Sequence, residues 1–203
     1  DRVYILPKTM EQKKNNIAVY FENVTLILLG ALLAVFPLIF LSTTTDAFVL
    51  PKQLVLIGVA VLGFVLFAIK SFVSGKLRLR VSPFDLPIGL LLLVAFLSAI
   101  FSFNQFDSLI AYTPFLFLGV LYFVIVNTVK GQKQLMFLLS SLTVGAVLSS
   151  ITTLLSFAKL YPLPFEYTHV QTFTTFGSVL DQALYLALVL PIAGYFGYSY
   201  LNA

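Results

Sequence analysis

Six long stretches of the chain consist almost entirely of apolar residues, and short polar segments separate them. The six stretches are residues 24–42, 53–74, 84–103, 109–129, 134–157 and 179–201. Each reaches the roughly 20 apolar residues that a helix needs to cross a membrane. Their interiors carry no Lys, Arg, Asp or Glu, and a charge at the centre of a span would cost about 2.5–3.5 kcal/mol. The pattern therefore predicts an all-α, polytopic transmembrane helical bundle with six spans.

Positively charged residues are concentrated on alternate connections between these stretches. The N-terminal segment, the second connection and the fourth connection hold ten of the twelve Lys and Arg residues. The ten are Arg2, Lys8, Lys13, Lys14, Lys70, Lys76, Arg78, Arg80, Lys130 and Lys133. Because cytoplasmic loops of membrane proteins are rich in Lys and Arg, we expect both ends of this sequence to be cytoplasmic. The first, third and fifth connections are then expected to face outward.

Composition supports a membrane protein and excludes several other classes. The chain is 60% hydrophobic and 10% charged, whereas soluble domains carry about 25% charged residues. The net charge of +4 is explained by topology, so no nucleic-acid partner is expected. Residues 1–23 are interpreted as a cytoplasmic segment and residues 24–203 as the transmembrane domain. Since the sequence begins with Asp1 and ends in or just past an apolar stretch, we expect it to be part of a longer protein.

Familiar catalytic signatures are missing from the sequence. It contains no Gly-rich phosphate loop, no His-Glu-x-x-His and no Gly-x-Ser-x-Gly, and it has no Cys and only one His. A multi-histidine metal site is thereby excluded within these residues, and we expect neither a metal nor a cofactor. Any substrate is expected to arrive from the membrane or from its outer face.

The first outward connection holds two candidate residues, Asp46 and Lys52. One interpretation is structural: the two side chains form an ion pair and Pro51 with Lys52 begins the second helix. The other is functional, because a compact ammonium group pairs well with phosphate oxygens of a lipid headgroup or a pyrophosphate.

The fifth outward connection, residues 159–182, is the longest and holds three more candidates. Glu166 and His169 are the nearest acid–base pair in the sequence, and Gln171 follows them. Gly177 and Ser178 precede the sixth helix, where they either bind an anion or cap the helix. His169, Gln171 and Ser178 are thus candidate donor or headgroup contacts.

Small residues recur every four positions on the fifth predicted helix. They are Ser141, Gly145 and Ser149. Such a stripe lets a second helix approach closely, and we interpret it as a packing surface.

Several short segments, taken in order, resemble the O-antigen ligase family. They are FPL at 36–38, DAFVLPK at 46–52, GKLRLR at 75–80, SPFDLP at 82–87, LSAIFS at 97–102, NTVK at 127–130, FTTFGS at 173–178 and LYLALVLP at 184–191. Together they cover most of residues 30–200. Each motif is short and apolar, so their order and spacing carry the resemblance.

The resemblance implies the N-terminal half of a larger enzyme of the bacterial cytoplasmic (inner) membrane. Such a protein would transfer a glycan from an undecaprenyl-pyrophosphate carrier to a lipid-anchored or protein acceptor on the outer side. It would use neither nucleotide nor metal, and family arginines and a His in a large outer loop would serve the reaction. That loop lies outside these 203 residues, and His169 and Gln171 stand where relatives often carry Arg. No catalytic residue is therefore assigned, and these residues alone are expected to be inactive.

Three alternatives remain open at this point. An O-antigen-type polysaccharide polymerase shares the fold and donor and differs in its acceptor, a growing carrier-linked chain. A transporter would need ionisable or broken-helix features near the midplane. A non-enzymatic membrane subunit would need only its lipid contacts and a protein partner.

Overall fold

The computed structural model describes residues 8–41, 46–75, 79–161, 164–165 and 168–201, with backbone alone at 8–15 and 199–201. Within these ranges every regular element is helical. The six α-helices are α1 (Lys8–Val35), α2 (Val49–Ser74), α3 (Asp85–Ile100), α4 (Gln105–Thr128), α5 (Gln132–Phe157) and α6 (Val179–Leu201). A short 3₁₀ turn at Phe36–Leu38 follows α1. Of the residues named above, Asp1, Arg2, Lys76, Arg78 and Glu166 lie outside the described ranges.

Five of these helices are long and apolar enough to cross a membrane. The candidate spans are Asn16–Leu38, Val49–Ser74, Gln105–Thr128, Gln132–Phe157 and Val179–Tyr198. Only 11–28% of the most apolar window of each is buried, so lipid would cover the remaining apolar faces. Helix α3 is apolar but has only 16 residues. The predicted all-helical membrane fold is confirmed, and five of its helices meet the length of a span.

Helix α1 begins at Lys8, well before the apolar run that the sequence places at residues 24–42. Lys, Glu and Gln in residues 8–22 are good helix formers, so the helix extends through the polar segment. Glu22 lies on this helix just before the predicted span, and only 7% of the residue is exposed.

The chain divides into two compact units. The first comprises Asp1–Leu29 and Leu56–Lys130. Here α3 and α4, which a short connection joins, pack against each other as an antiparallel pair. A Cβ at Gly119 would lie 2.5 Å from Leu92, and the Tyr122 hydroxyl donates to Asp85 over 2.7 Å.

The second unit comprises Gly30–Val55 and Gly131–Ala203. In this unit α5 passes so close to the end of α1 that a Cβ on Gly145 would lie 2.8 Å from the carbonyl oxygens of Leu33 and Ala34. Ser149, one turn further on, is fully buried, and its carbonyl accepts a hydrogen bond from Gln182 Nε2 at 3.2 Å. The predicted packing role of the small-residue stripe is confirmed.

Candidate functional site

Asp46 caps the N-terminus of α2. Its Oδ1 atom accepts hydrogen bonds from the amides of Val49 and Phe48, each at 3.0 Å. These two amides hold the pKa of Asp46 below its usual value of 3.8, and the charge of Lys52 adds a smaller lowering. Asp46 thus caps the helix that carries Lys52.

Lys52, in the first turn of α2, is buried although it carries an ammonium group. Its Nζ donates to the carbonyl of Thr175, 2.7 Å away and 123 residues later in the chain. The ring of Phe176 lies 5.0 Å from the same nitrogen, a cation–π distance. The carboxylate of Asp46 acts on this ammonium only through its charge. Lys52 therefore joins the start of α2 to the segment that precedes α6.

Two threonine hydroxyls beside this contact are buried without hydrogen bonds. Thr174 and Thr175 are 2% and 1% exposed. Their Oγ1 atoms have no hydrogen-bond partner within the described part of the chain. Leaving a buried hydroxyl unpartnered costs about 1–3 kcal/mol, so such groups usually meet a water or a ligand. Both hydroxyls belong to the segment whose Thr175 carbonyl accepts the hydrogen bond of the Lys52 ammonium.

Aromatic side chains hold the two connections together around this set. The rings of Phe40 and Phe48 lie 5.8 Å and 6.3 Å from the ring of Phe173. Gly177 lies directly against Phe48: a Cβ there would come within 2.6 Å of the ring. Its φ of +81° is in the left-handed region, which glycine adopts without strain. Packing and turn geometry thus place Thr174, Thr175 and Phe176 over the start of α2.

The other three predicted candidates do not hydrogen-bond to Lys52. His169 is exposed and stacks on Tyr161, with ring centroids 4.9 Å apart. Gln171 lies exposed in the turn that follows. Ser178 is half-buried immediately before α6, and its carbonyl accepts the Gln182 amide at 3.2 Å. Ser178 therefore starts the helix. Of the five candidates only Lys52 makes the buried contact with Thr175, and Asp46 caps the helix that carries it.

Sequence reasoning did not identify Thr175 and Phe176 as the residues that contact Lys52. Gly177 and Ser178 of the same segment, FTTFGS, were predicted to bind an anion or to cap the sixth helix, and the segment also resembles a family motif. No local pattern pairs this segment with Lys52, because the two lie 123 residues apart. Across the described residues, no cluster of three His, Asp or Glu side chains is arranged to hold a metal ion.

No protein-family model matches this chain, and no curated protein or solved structure does.

Proposed function

We propose that this chain belongs to a membrane glycan ligase and that its Lys52 site binds the pyrophosphate of a polyprenyl-linked glycan donor. The observation that carries the proposal is the buried Lys52 ammonium beside the unpartnered hydroxyls of Thr174 and Thr175. An ammonium has three N–H donors, and among the residues that the structure describes one of them is donated, to the Thr175 carbonyl. The remaining donors match the acceptor oxygens of a pyrophosphate.

The position of the site in the chain supports the same function. Lys52 is in the first outward connection of the predicted topology, and Thr175 is in the fifth. A donor carried by a membrane lipid would reach this site from the outer leaflet, where the acceptor also resides. The resemblance of residues 30–200 to O-antigen ligases supplies the reaction: transfer of the glycan to the acceptor, with release of the carrier pyrophosphate. The acceptor, a lipid-anchored core or a protein, would be bound by residues other than those of the Lys52 site.

The proposal includes the complete topology, with α3 as a sixth span and the N-terminus in the cytoplasm of a bacterium. The chain has no Cys, so single cysteines report on it without background. A membrane-impermeant maleimide added to intact cells is expected to label Phe103→Cys and Lys159→Cys and to leave Lys133→Cys unlabelled until the cells are opened. Labelling of Lys133→Cys in intact cells would overturn the orientation, and protection of Phe103→Cys would remove α3 from the spans.

The donor site is tested by Lys52→Met, which removes the charge and nearly keeps the shape. The matched control is Lys159→Met, because Lys159 is exposed in the same predicted outer region. The purified chain in lipid nanodiscs is titrated with undecaprenyl pyrophosphate and with undecaprenol. Hydrogen bonds to charged groups contribute about 1.5–3 kcal/mol, so Lys52→Met is expected to weaken binding of the pyrophosphate lipid by about 10- to 100-fold.

Two results would refute the donor site. Equal affinity for undecaprenyl pyrophosphate and undecaprenol would show that the phosphates are not recognised. Equal affinity of Lys52→Met and Lys159→Met would remove Lys52 from the site. Where binding is found, a reconstituted assay with a labelled donor then separates ligase from polymerase: the label moves to an added acceptor in the first case and into a longer carrier-linked chain in the second.

A further inference from the structure

Tyr185 extends the contacts of Lys52 into α6, a helix that the proposed donor site does not otherwise use. It lies in the second turn of this helix and is half-buried. Its ring centroid lies 5.0 Å from that of Phe176, with an angle of 35° between the two ring planes. Aromatic rings attract each other at such distances. Phe176 is also the residue whose ring lies 5.0 Å from the Lys52 ammonium, so one ring contacts both side chains.

Tyr185 is itself held by α5. Its hydroxyl donates to the carbonyl of Leu142 over 3.3 Å. Nearly one turn earlier on α6, Gln182 is buried, and its Nε2 donates to the Ser149 carbonyl over 3.2 Å. The Oε1 atom of Gln182 accepts a hydrogen bond from the Thr153 hydroxyl at 2.8 Å. Because Gln182 and Tyr185 are three positions apart, they lie on the same face of α6. The first two turns of α6 are therefore fixed to α5.

The orientation of Phe176 determines how the Lys52 ammonium is held. Phe176 is half-buried, and its neighbour Thr175 supplies the carbonyl that accepts the Lys52 hydrogen bond at 2.7 Å. A side chain keeps one orientation where close packing leaves it no room to turn. The Tyr185 ring is such a packing neighbour of Phe176. A smaller side chain at position 185 would leave a cavity, into which the Phe176 ring is free to turn away from the ammonium.

We infer that Tyr185 is a positioning residue for Lys52: through Phe176, its ring holds the ammonium in the orientation that receives the phosphates of the donor. The inference rests on the proposed function for the identity of this ligand. Tyr185 itself is not expected to touch the donor, because its hydroxyl is directed to α5. A cation–π contact is strong where the cation is desolvated, and Lys52 is buried. Its loss is therefore expected to change equilibria at Lys52 by about 5- to 30-fold.

The first measurement needs no ligand. Acylation of lysines by acetic anhydride in nanodiscs, located by mass spectrometry, reports how often the Lys52 amine leaves its contacts. Tyr185→Leu is expected to raise the acylation rate of Lys52 by about 5- to 30-fold. Tyr185→Phe retains the ring and loses only a long hydrogen bond, so it is expected to stay within about twofold of wild type.

Two controls separate positioning from general loosening of the fold. Tyr195→Leu makes the same change on the same helix at an exposed residue, and it should leave the acylation of Lys52 as in wild type. Lys70 is an internal reference in every sample, because its side chain is only 16% exposed and pairs with Glu22 in the other unit. Its acylation rate should be the same in wild type and in Tyr185→Leu.

The second measurement is the binding of undecaprenyl pyrophosphate, titrated as for Lys52→Met. Tyr185→Leu is expected to weaken this binding by about 5- to 30-fold and to leave that of undecaprenol unchanged. In a Lys52→Met background the same substitution should have little further effect, because the ammonium that Tyr185 positions is gone.

Three results would overturn the inference. One is unchanged acylation of Lys52 in Tyr185→Leu, and another is an equal rise at Lys52 and Lys70. The third is faster acylation of Lys52 without loss of affinity in a protein whose wild type prefers the pyrophosphate lipid, which would leave Tyr185 with a packing role. A wild-type chain that binds undecaprenyl pyrophosphate and undecaprenol equally would refute the proposed function instead. The acylation rates alone would then decide whether Tyr185 positions Lys52.

Discussion

Gly177 holds the fifth connection against the first, and its replacement by alanine tests the geometry of the Lys52 site. Its φ is +81°, and a Cβ would lie 2.6 Å and 2.7 Å from two atoms of the Phe48 ring. Real Cβ atoms do not approach other atoms so closely, so the ring or the turn must move. Movement of either would change the position of the Thr175 carbonyl relative to the Lys52 ammonium.

The expected destabilisation has two parts. A non-glycine residue in the left-handed region costs about 1–2 kcal/mol. Overpacking against a ring that is held among other rings adds about 1–3 kcal/mol. Gly177→Ala should therefore lower the free energy of unfolding by about 2–5 kcal/mol. The second part depends on Phe48, so it should largely disappear when Gly177→Ala is made in a Phe48→Ala background.

Unfolding by sodium dodecyl sulfate, followed by circular dichroism in mixed micelles, measures this effect. The matched control is Gly58→Ala, because Gly58 lies inside α2 and no atom would lie within 4 Å of its new Cβ. That control should be neutral or up to about 1 kcal/mol more stable, since alanine is the better helix former. A Gly177→Ala protein as stable as the Gly58→Ala protein would refute the packing of Gly177 on Phe48. A loss unchanged by Phe48→Ala would assign the whole effect to the turn.

Three further predictions concern helix packing, the buried carboxylate and the cap of α2. Gly145→Ala should destabilise the chain by about 1–3 kcal/mol in the same assay, because the new methyl group meets backbone carbonyls that cannot rotate away; a neutral result would contradict the close approach of α1 and α5. Glu22→Gln should cost about 3 kcal/mol, because it leaves a buried lysine without its counter-charge; the same loss in Glu22→Asp as in Glu22→Gln would argue against an electrostatic role. Asp46 has a lowered pKa, so its stabilising effect is complete above its usual pKa of 3.8 and is lost as the pH falls through the lower folded-state pKa. Thermal unfolding from pH 6 to pH 2 should accordingly show a smaller acid-induced loss for Asp46→Asn than for wild type, and identical profiles would contradict this role of the carboxylate.

Helix positions were largely predictable because the membrane acts on each residue separately. A long apolar stretch is more stable in lipid than in water whatever segments surround it. The helices Val49–Ser74 and Gln132–Phe157 accordingly agree closely with the predicted spans 53–74 and 134–157. The start of α1 was not predictable in this way. Glu22 is buried on α1 because Lys70 and Lys130 meet its carboxylate, and these partners are far away in the sequence.

The candidate site was predictable only in part, for a related reason. Lys52 stood out as a cation in an outward connection, and Asp46 as its neighbour. Their separation of six residues suggested an ion pair, but Lys52 instead donates to a backbone carbonyl in another loop. His169 and Gln171 were chosen for their chemistry, and the structure leaves both exposed on the surface of the fifth connection.

The sequence by itself determined that this protein consists of apolar helices suited to a membrane, and it predicted their orientation from the distribution of Lys and Arg. Hydropathy and charge are properties of individual residues, so both predictions were made without tertiary information. The tertiary structure alone decided which residues meet: Lys52 with Thr175, Gly177 with Phe48, and Glu22 with Lys70 and Lys130. Each of these contacts joins segments at least 48 residues apart, and their approach depends on how helices and loops pack, which local pattern does not encode.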